Sequence, residues 1–145
     1  MKATIAWARA TAKVPVWLVG TSRGTQSAAY AATVLQGADA PDGVVLTATI
    51  LADDKQRPVP AMPLEHIKVP VLVVHHQQDG CSHCAYSEIP NLMAKLTHTP
   101  RSHLITATGG KNQGDACAAF AHHGFNGLEA DVVGQMADWI LAPAR

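Results

Sequence analysis

Residues 16–25 have the sequence VWLVGTSRGT, in which a short apolar run leads into a Gly-x-Ser-x-Gly pattern. The apolar run, residues 14–20, is typical of a buried β-strand. The next segment, residues 22–36, is rich in alanine and stops before Gly37, which predicts a helix. Glycines two positions before and two positions after Ser22 would let strand and helix approach closely. The stretch therefore predicts a tight strand-to-helix turn with Ser22 at its apex.

Strands and helices alternate along the rest of the chain. Most of the predicted strands are apolar throughout, which is typical of strands buried on both faces. We therefore expect an α/β fold in one domain, residues 1–145, with a parallel sheet of about four strands and helices on both faces. The other strands are predicted at residues 43–51, 69–75 and 103–107, and the other helices at residues 3–12, 85–97 (or only after Pro90) and about 128–141.

The composition argues against several classes of function. The 145 residues include 11 Lys plus Arg and 11 Asp plus Glu, so the formal net charge is zero. A nucleic-acid partner normally requires a basic surface, which this balance does not predict. No apolar run is long enough to cross a bilayer, so we expect no membrane association. The N-terminus lacks the pattern of a signal peptide, which favours a cytoplasmic protein.

A serine in such a turn can act as a nucleophile when a base removes its proton. Residues 121–127, before the last predicted helix, supply His123 as the candidate base and His122 as its rival. The backbone N–H of Arg23, at the start of the helix after Ser22, could donate to an oxyanion. The alternative is that Ser22 only caps this helix.

The base needs an acidic partner that orients its ring. Asp79 follows the third predicted strand, and loops after the carboxyl ends of parallel strands are where α/β proteins place functional groups. An ordinary Asp-Gly turn is the alternative for this residue. Asp53 and Asp54, after the second predicted strand, are rival acids.

Together these features resemble the C-terminal half of an α/β-hydrolase. The resemblance implies a carboxylesterase-type serine hydrolase that cleaves small, short-chain esters through an acyl-enzyme. Its triad would be Ser22, Asp79 and His123, in the chain order of that family, and no metal or organic cofactor is implied. The residues that carry the resemblance are 16–25 (VWLVGTSRGT), 69–76 (VPVLVVHH) with Asp79, and 123–125 (HGF).

The chain departs from the family in reaching the serine after a single strand. The strand before Ser22, usually central, would become an apolar sheet edge, and exposed edges tend to pair with other chains. We therefore expect a homo-oligomer, most simply a dimer, that covers this edge. The loop that usually supplies a second oxyanion donor is not among the predicted elements, so we expect Thr21, Gln26 or a neighbouring subunit to serve. A catalytically weak hydrolase domain that acts as an assembly module is an alternative.

The cysteines allow other interpretations. Cys81 and Cys84 form a C-x-x-C pattern between a strand and a helix, which also suits a thiol–disulfide oxidoreductase. If Asp79 and His123 meet, Cys81 and Cys117 come close, and a bridge between them would suggest an exported ancestor. A zinc site from Cys81, Cys84, His83 and a later histidine is a further alternative.

Overall fold

A computed structural model describes residues 1–53 and 57–142 of the chain. After an N-terminal helix, strands alternate with helices, except between the second and third strands, which are joined through two short 3-10 turns. The strands are β1 (Trp17–Thr21), β2 (Gly43–Thr47), β3 (Val71–His76) and β4 (Ser102–Ala107), and the helices are α1 (Lys2–Ala12), α2 (Arg23–Val34), α3 (Ile89–Ala94) and α4 (Glu129–Leu141).

The four strands form one parallel sheet in the order β1-β2-β3-β4. The register places Val19 beside Val45, Val45 beside Leu72, and Val74 beside Ile105. This confirms the α/β fold with a parallel sheet that the sequence predicts. Since the strands are parallel, the loops after all four begin at one edge of the sheet, which we call the carboxyl edge.

Each face of the sheet is covered by its own apolar cluster. Alternate residues of β2 point to opposite faces, so Val44 and Leu46 join one cluster and Val45 joins the other. The first cluster packs the alanines of α2 against the sheet, together with α3 and residues 59–67. The second packs α4 against the sheet through Val132, with Trp139 beside it. Burial on both faces explains why β2 and β3 are apolar up to the polar residues at their carboxyl ends.

Several predicted elements are shorter in the structure, and two of them show a physical cause. The second strand ends at Thr47 instead of residue 51, because Ala48 adopts a positive φ of 45° that ends the extended conformation. The helix predicted at 85–97 is a 3-10 turn, Tyr86–Glu88, followed by α3. Pro90 lies in the first turn of α3, where its missing N–H has no intrahelical acceptor to lose.

Strand β1 forms one edge of the sheet, as the sequence predicts, and β4 forms the other. In the part of the chain that the structure describes, β1 pairs with β2 alone. Val19 of β1 is 55% exposed, and Val133 of α4 is 61% exposed. Trp17 packs edge-on against Trp139, with ring centroids 5.8 Å apart, which anchors α4 beside the edge strand. Among the described residues, no helix has both the length and the apolarity to cross a membrane.

Candidate active site

The backbone at Ser22 is strained. Ser22 lies between β1 and α2 with φ 51° and ψ −120°, a backbone conformation that residues other than glycine rarely adopt. Its N–H donates to Thr47 O at 3.0 Å. Its carbonyl accepts from the N–H of Thr25 at 2.9 Å and from Thr25 Oγ1 at 2.6 Å. The turn therefore holds the serine at the carboxyl edge, between the strand and the helix.

The two glycines of the pattern have different roles. A Cβ on Gly20 would lie 2.5 Å from the carbonyl oxygen of Gly24, so only glycine fits at this close approach of strand and helix. A Cβ on Gly24 would meet no atom within 4 Å. The expectation that both glycines prevent a steric clash is therefore right for Gly20 and wrong for Gly24.

The amide of Arg23 is the first of helix α2, and the first amides of a helix have no intrahelical acceptor. The Arg23 N–H, which the sequence suggested as an oxyanion donor, is therefore one of these first amides. Of the two side chains considered as second donors, Gln26 already donates elsewhere, whereas Thr21 accepts a hydrogen bond and keeps its own hydroxyl proton to donate. Thr21 Oγ1 accepts from Thr47 Oγ1 at 2.7 Å, and Gln26 Nε2 donates to the carbonyl of Arg57 at 3.0 Å.

Asp79 and His123 form a buried pair. His123 Nδ1 donates to Asp79 Oδ2 at 2.9 Å, and the two side chains are 4% and 0% exposed. The other carboxylate oxygen, Oδ1, accepts from the N–H of Cys81 at 2.9 Å. A neutral histidine with its proton on Nδ1 has its lone pair on Nε2. His123 Nε2 is buried without a hydrogen-bond partner, so the atom that a general base uses is available.

The serine turn and the histidine turn border the same cavity. Thr21, which precedes Ser22, and Gly124, which follows His123, both line a cavity of about 270 Å³. The other walls are mainly apolar and come from β1, α4 and the turn before α4. Since Nε2 has no partner, Ser22 Oγ does not hydrogen-bond to it in this structure. Catalytic hydrogen bonds of this kind often tighten only when a substrate binds.

The rival residues are placed differently. The ring of His122 stacks on that of His76 with centroids 4.2 Å apart, and His122 Nδ1 donates to Gln78 O at 3.2 Å. Asp53 forms an ion pair with the guanidinium of Arg23. Asp54 lies outside the described residues. The structure thus brings His123 to Asp79 and leaves His122 and Asp53 with other partners.

His75 is a buried histidine beside the acid, to which no role was assigned from the sequence. Its Nε2 donates to the carbonyl of Cys84 at 2.7 Å and lies 3.6 Å from Asp79 Oδ2. Burial lowers the pKa of His75, although the nearby charge of Asp79 opposes this. The sequence signal for this contact was a histidine at the end of a predicted apolar strand, four residues before the acid.

A disulfide links the loop that carries Asp79 to the loop that precedes His123. The bridge joins Cys81, two residues after Asp79, to Cys117. Cys84 is a free, buried thiol that donates to Ala48 O at 3.4 Å. Burial raises the pKa of Cys84 to about 12, so the thiol keeps its proton at neutral pH. The two cysteines of the C-x-x-C pattern are therefore not a redox pair in this structure, and His83 bonds to the carbonyl of Ala52.

Several solved structures share this fold. A dienelactone hydrolase from Anabaena variabilis is 20% identical, with a TM-score of 0.61, over 99% of this chain and 58% of its own. An α/β serine hydrolase without lid from Xanthomonas campestris is 17% identical, with a TM-score of 0.58, over 99% and 56%. The esterase domain of a Rhodothermus marinus protein is 14% identical, with a TM-score of 0.53, over 94% and 65%.

The chain therefore has an α/β-hydrolase-like fold, as its sequence predicts, and it spans less than two thirds of the length of each of these proteins. Identities of this size show a shared fold. The sequence matches no protein-family profile and no curated protein.

Proposed function

We propose that the chain is a serine hydrolase of the carboxylesterase type, with Ser22 as nucleophile, His123 as general base and Asp79 as the acid that orients the histidine. The observation that carries this proposal is the buried His123–Asp79 pair, whose free Nε2 lies at the same sheet edge as the strained Ser22. The similar structures are described as a dienelactone hydrolase, a serine hydrolase and an esterase domain, which supports it.

The proposed reaction assigns one role to each group. Ser22 Oγ attacks the ester carbonyl while His123 Nε2 takes the serine proton. Asp79 stabilises the charge that forms on the imidazole, and the Arg23 N–H stabilises the tetrahedral oxyanion. The imidazolium then returns the proton to the leaving alkoxide, the alcohol departs, and an acyl-enzyme remains. Water hydrolyses this ester by the same steps in reverse order, with His123 again as the base.

The cavity beside Ser22 favours short acyl chains. Its volume of about 270 Å³ is at or below the lower end of ordinary small-molecule pockets, which begin near ~300 Å³. Its lining is mainly apolar, from side chains such as Val19, Phe125 and Met136. Such a wall would accept a small alkyl group and offers little to bind a long or charged one. We therefore propose small, short-chain carboxylic esters as substrates.

Hydrolysis of a short chromogenic ester by the wild type and by Ser22→Ala tests the proposal. We expect the Ser22→Ala variant to lose at least about 1000-fold in kcat, because a triad without its nucleophile retains only residual catalysis. Ser102→Ala, at an exposed serine that begins β4, is the matched control and should keep wild-type activity. A serine-reactive phosphonate should label Ser22 by mass spectrometry. Equal activity of the wild type and Ser22→Ala, or an inactive and unlabelled wild type, would overturn the proposal.

A further inference from the structure

Three potential metal ligands meet beneath the proposed active site. The ligand atoms of Cys81, Cys84 and His123 all lie within 4.8 Å of one another, and all three residues are buried. Tetrahedral zinc, with bonds of about 2.3 Å to sulfur and about 2.0 Å to nitrogen, needs ligand atoms about 3.5–3.8 Å apart. The three side chains therefore need to close by an ångström or so to surround one ion.

A second observation points to a ligand at this place. His123 Nε2 is a buried nitrogen without a hydrogen-bond partner, although burial of an unpaired polar atom is costly. The other ring nitrogen donates to Asp79, which is the carboxylate–histidine arrangement that orients metal-binding histidines. The Asp79 carboxylate also adds negative charge near the cluster. The positive charge of Arg23, which acts on Cys84, is countered by its ion pair with Asp53.

One ligand is blocked while Cys81 is bonded to Cys117. Cys117 lies in an exposed stretch, residues 111–117, whereas Cys81 is buried, so the Cys117 side is where a reductant would approach the bridge. A phosphine reduces the bridge in a balanced step in which disulfide, phosphine and water yield two thiols and the phosphine oxide. Exposed disulfides are the ones most easily reduced. In the bridge the Cα atoms of Cys81 and Cys117 are only 4.6 Å apart. After reduction, Cys117 is therefore close enough to supply a fourth sulfur.

We propose that the chain, once its disulfide is reduced, binds Zn²⁺ through the sulfurs of Cys81 and Cys84 and a ring nitrogen of His123, with Cys117 as fourth ligand. Binding releases the thiol protons to solvent, since zinc is held by thiolates. This site differs from the two alternatives that the sequence suggested, a redox pair of Cys81 and Cys84 and a zinc site that includes His83. If the proposed function is correct, the ion also occupies the general base, so reduction together with zinc switches ester hydrolysis off.

Metal binding is measured first, independently of any activity, with Co²⁺ as a spectroscopic probe for the zinc site. Under argon, phosphine-reduced wild type should show thiolate-to-cobalt charge-transfer absorption and the visible bands of tetrahedral Co²⁺, and Zn²⁺ should abolish both. The oxidised protein should show neither. Cys84→Ser should bind zinc at least about tenfold more weakly in competition with a chromophoric chelator, because one of the ligands is lost.

Cys117→Ser is the matched variant, because it frees Cys81 while it keeps the three buried ligands. Desalted under argon, it should bind Co²⁺ without any reductant present. Absence of thiolate-to-cobalt absorption in the reduced wild type would overturn the proposal. So would equal zinc affinity in the oxidised protein, the reduced protein and Cys84→Ser, which would indicate adventitious binding by surface histidines. Zinc binding by a chain that hydrolyses no ester would overturn the proposed function alone.

Discussion

At the scale of single residues, His75 connects the stability of the protein to pH. It is buried at the end of β3, where Asp79, His76 and His123 are the titratable groups that act on it. Burial holds its pKa below the value of about 6.5 that it has in an unfolded chain. At acidic pH the unfolded state therefore binds a proton that the folded state resists, and the free energy of unfolding falls as the pH drops below about 6.5.

We expect His75→Gln to reduce this acid sensitivity, although it also lowers stability at neutral pH because it disturbs the contact with the Cys84 carbonyl. The free energy of unfolding, measured with urea at about pH 7.5 and about pH 5.5, should change less in the variant than in the wild type. His103→Gln, at an exposed histidine in β4, is the control and should leave the wild-type pH dependence unchanged. An unchanged pH dependence in His75→Gln would contradict the assignment. Burial also lowers the pKa of His76, so part of the acid sensitivity should remain.

At the scale of elements, the contact between β1 and α2 decides where Ser22 lies. The strand and the helix approach so closely at Gly20 that its missing side chain is a structural requirement. Thr25, buried in the first turn of α2, also joins this turn to the segment that follows β2. Its Oγ1 accepts from the N–H of Ile50 at 3.2 Å. The sequence pattern indicated the turn but did not indicate the role of Thr25.

The two glycines around Ser22 give a direct test of this packing. Gly20→Ala should cost about 1–3 kcal/mol in the free energy of unfolding, because the added methyl group meets backbone atoms that cannot move aside. Gly24→Ala, in open space within α2, should be neutral or should stabilise by up to about 1 kcal/mol, since alanine favours helix. Urea denaturation of both variants measures the difference. Equal stabilities would show that the close approach at Gly20 is absent in solution.

At the scale of the whole molecule, the exposed edge strand is the main unpaired surface that the sequence predicted. β1 presents backbone groups on its free side, and Val19 and Val133 extend the apolar surface onto α4. Apolar edge strands of this kind pair readily with other chains. We propose that a second copy of the chain covers β1, which gives a dimer in solution.

Light scattering coupled to gel filtration at micromolar concentration should give the mass of two chains for the wild type. Val19→Lys should give one chain, since a charge on an edge strand blocks pairing, while its stability should change little at a half-exposed site. Val34→Lys, at a residue of similar exposure at the end of α2, is the control and should remain dimeric. A monomeric wild type would contradict the proposal.

The sequence by itself determined the local elements and their order. Buried apolar runs predict the strands, and the Gly-x-Ser-x-Gly pattern predicts the turn at Ser22, because these signals depend on residues within a few positions of one another. The lengths of some elements differ from those predicted. β2 ends early because Ala48 takes a positive φ, and nothing in its neighbours along the chain specifies that conformation.

Only the tertiary structure decided which side chains meet. Asp79 and His123 are 44 positions apart, and the adjacent His122 has the same chemistry, so local pattern could not choose between them. The choice follows from the turn at His122–Gly124, which directs one ring towards the buried acid and the other onto His76. The joining of Cys81 to Cys117, with Cys84 left free, depends in the same way on the packing of two distant loops. Contacts between distant segments are set by how the elements pack around a shared core, and a linear pattern of residues does not contain that arrangement.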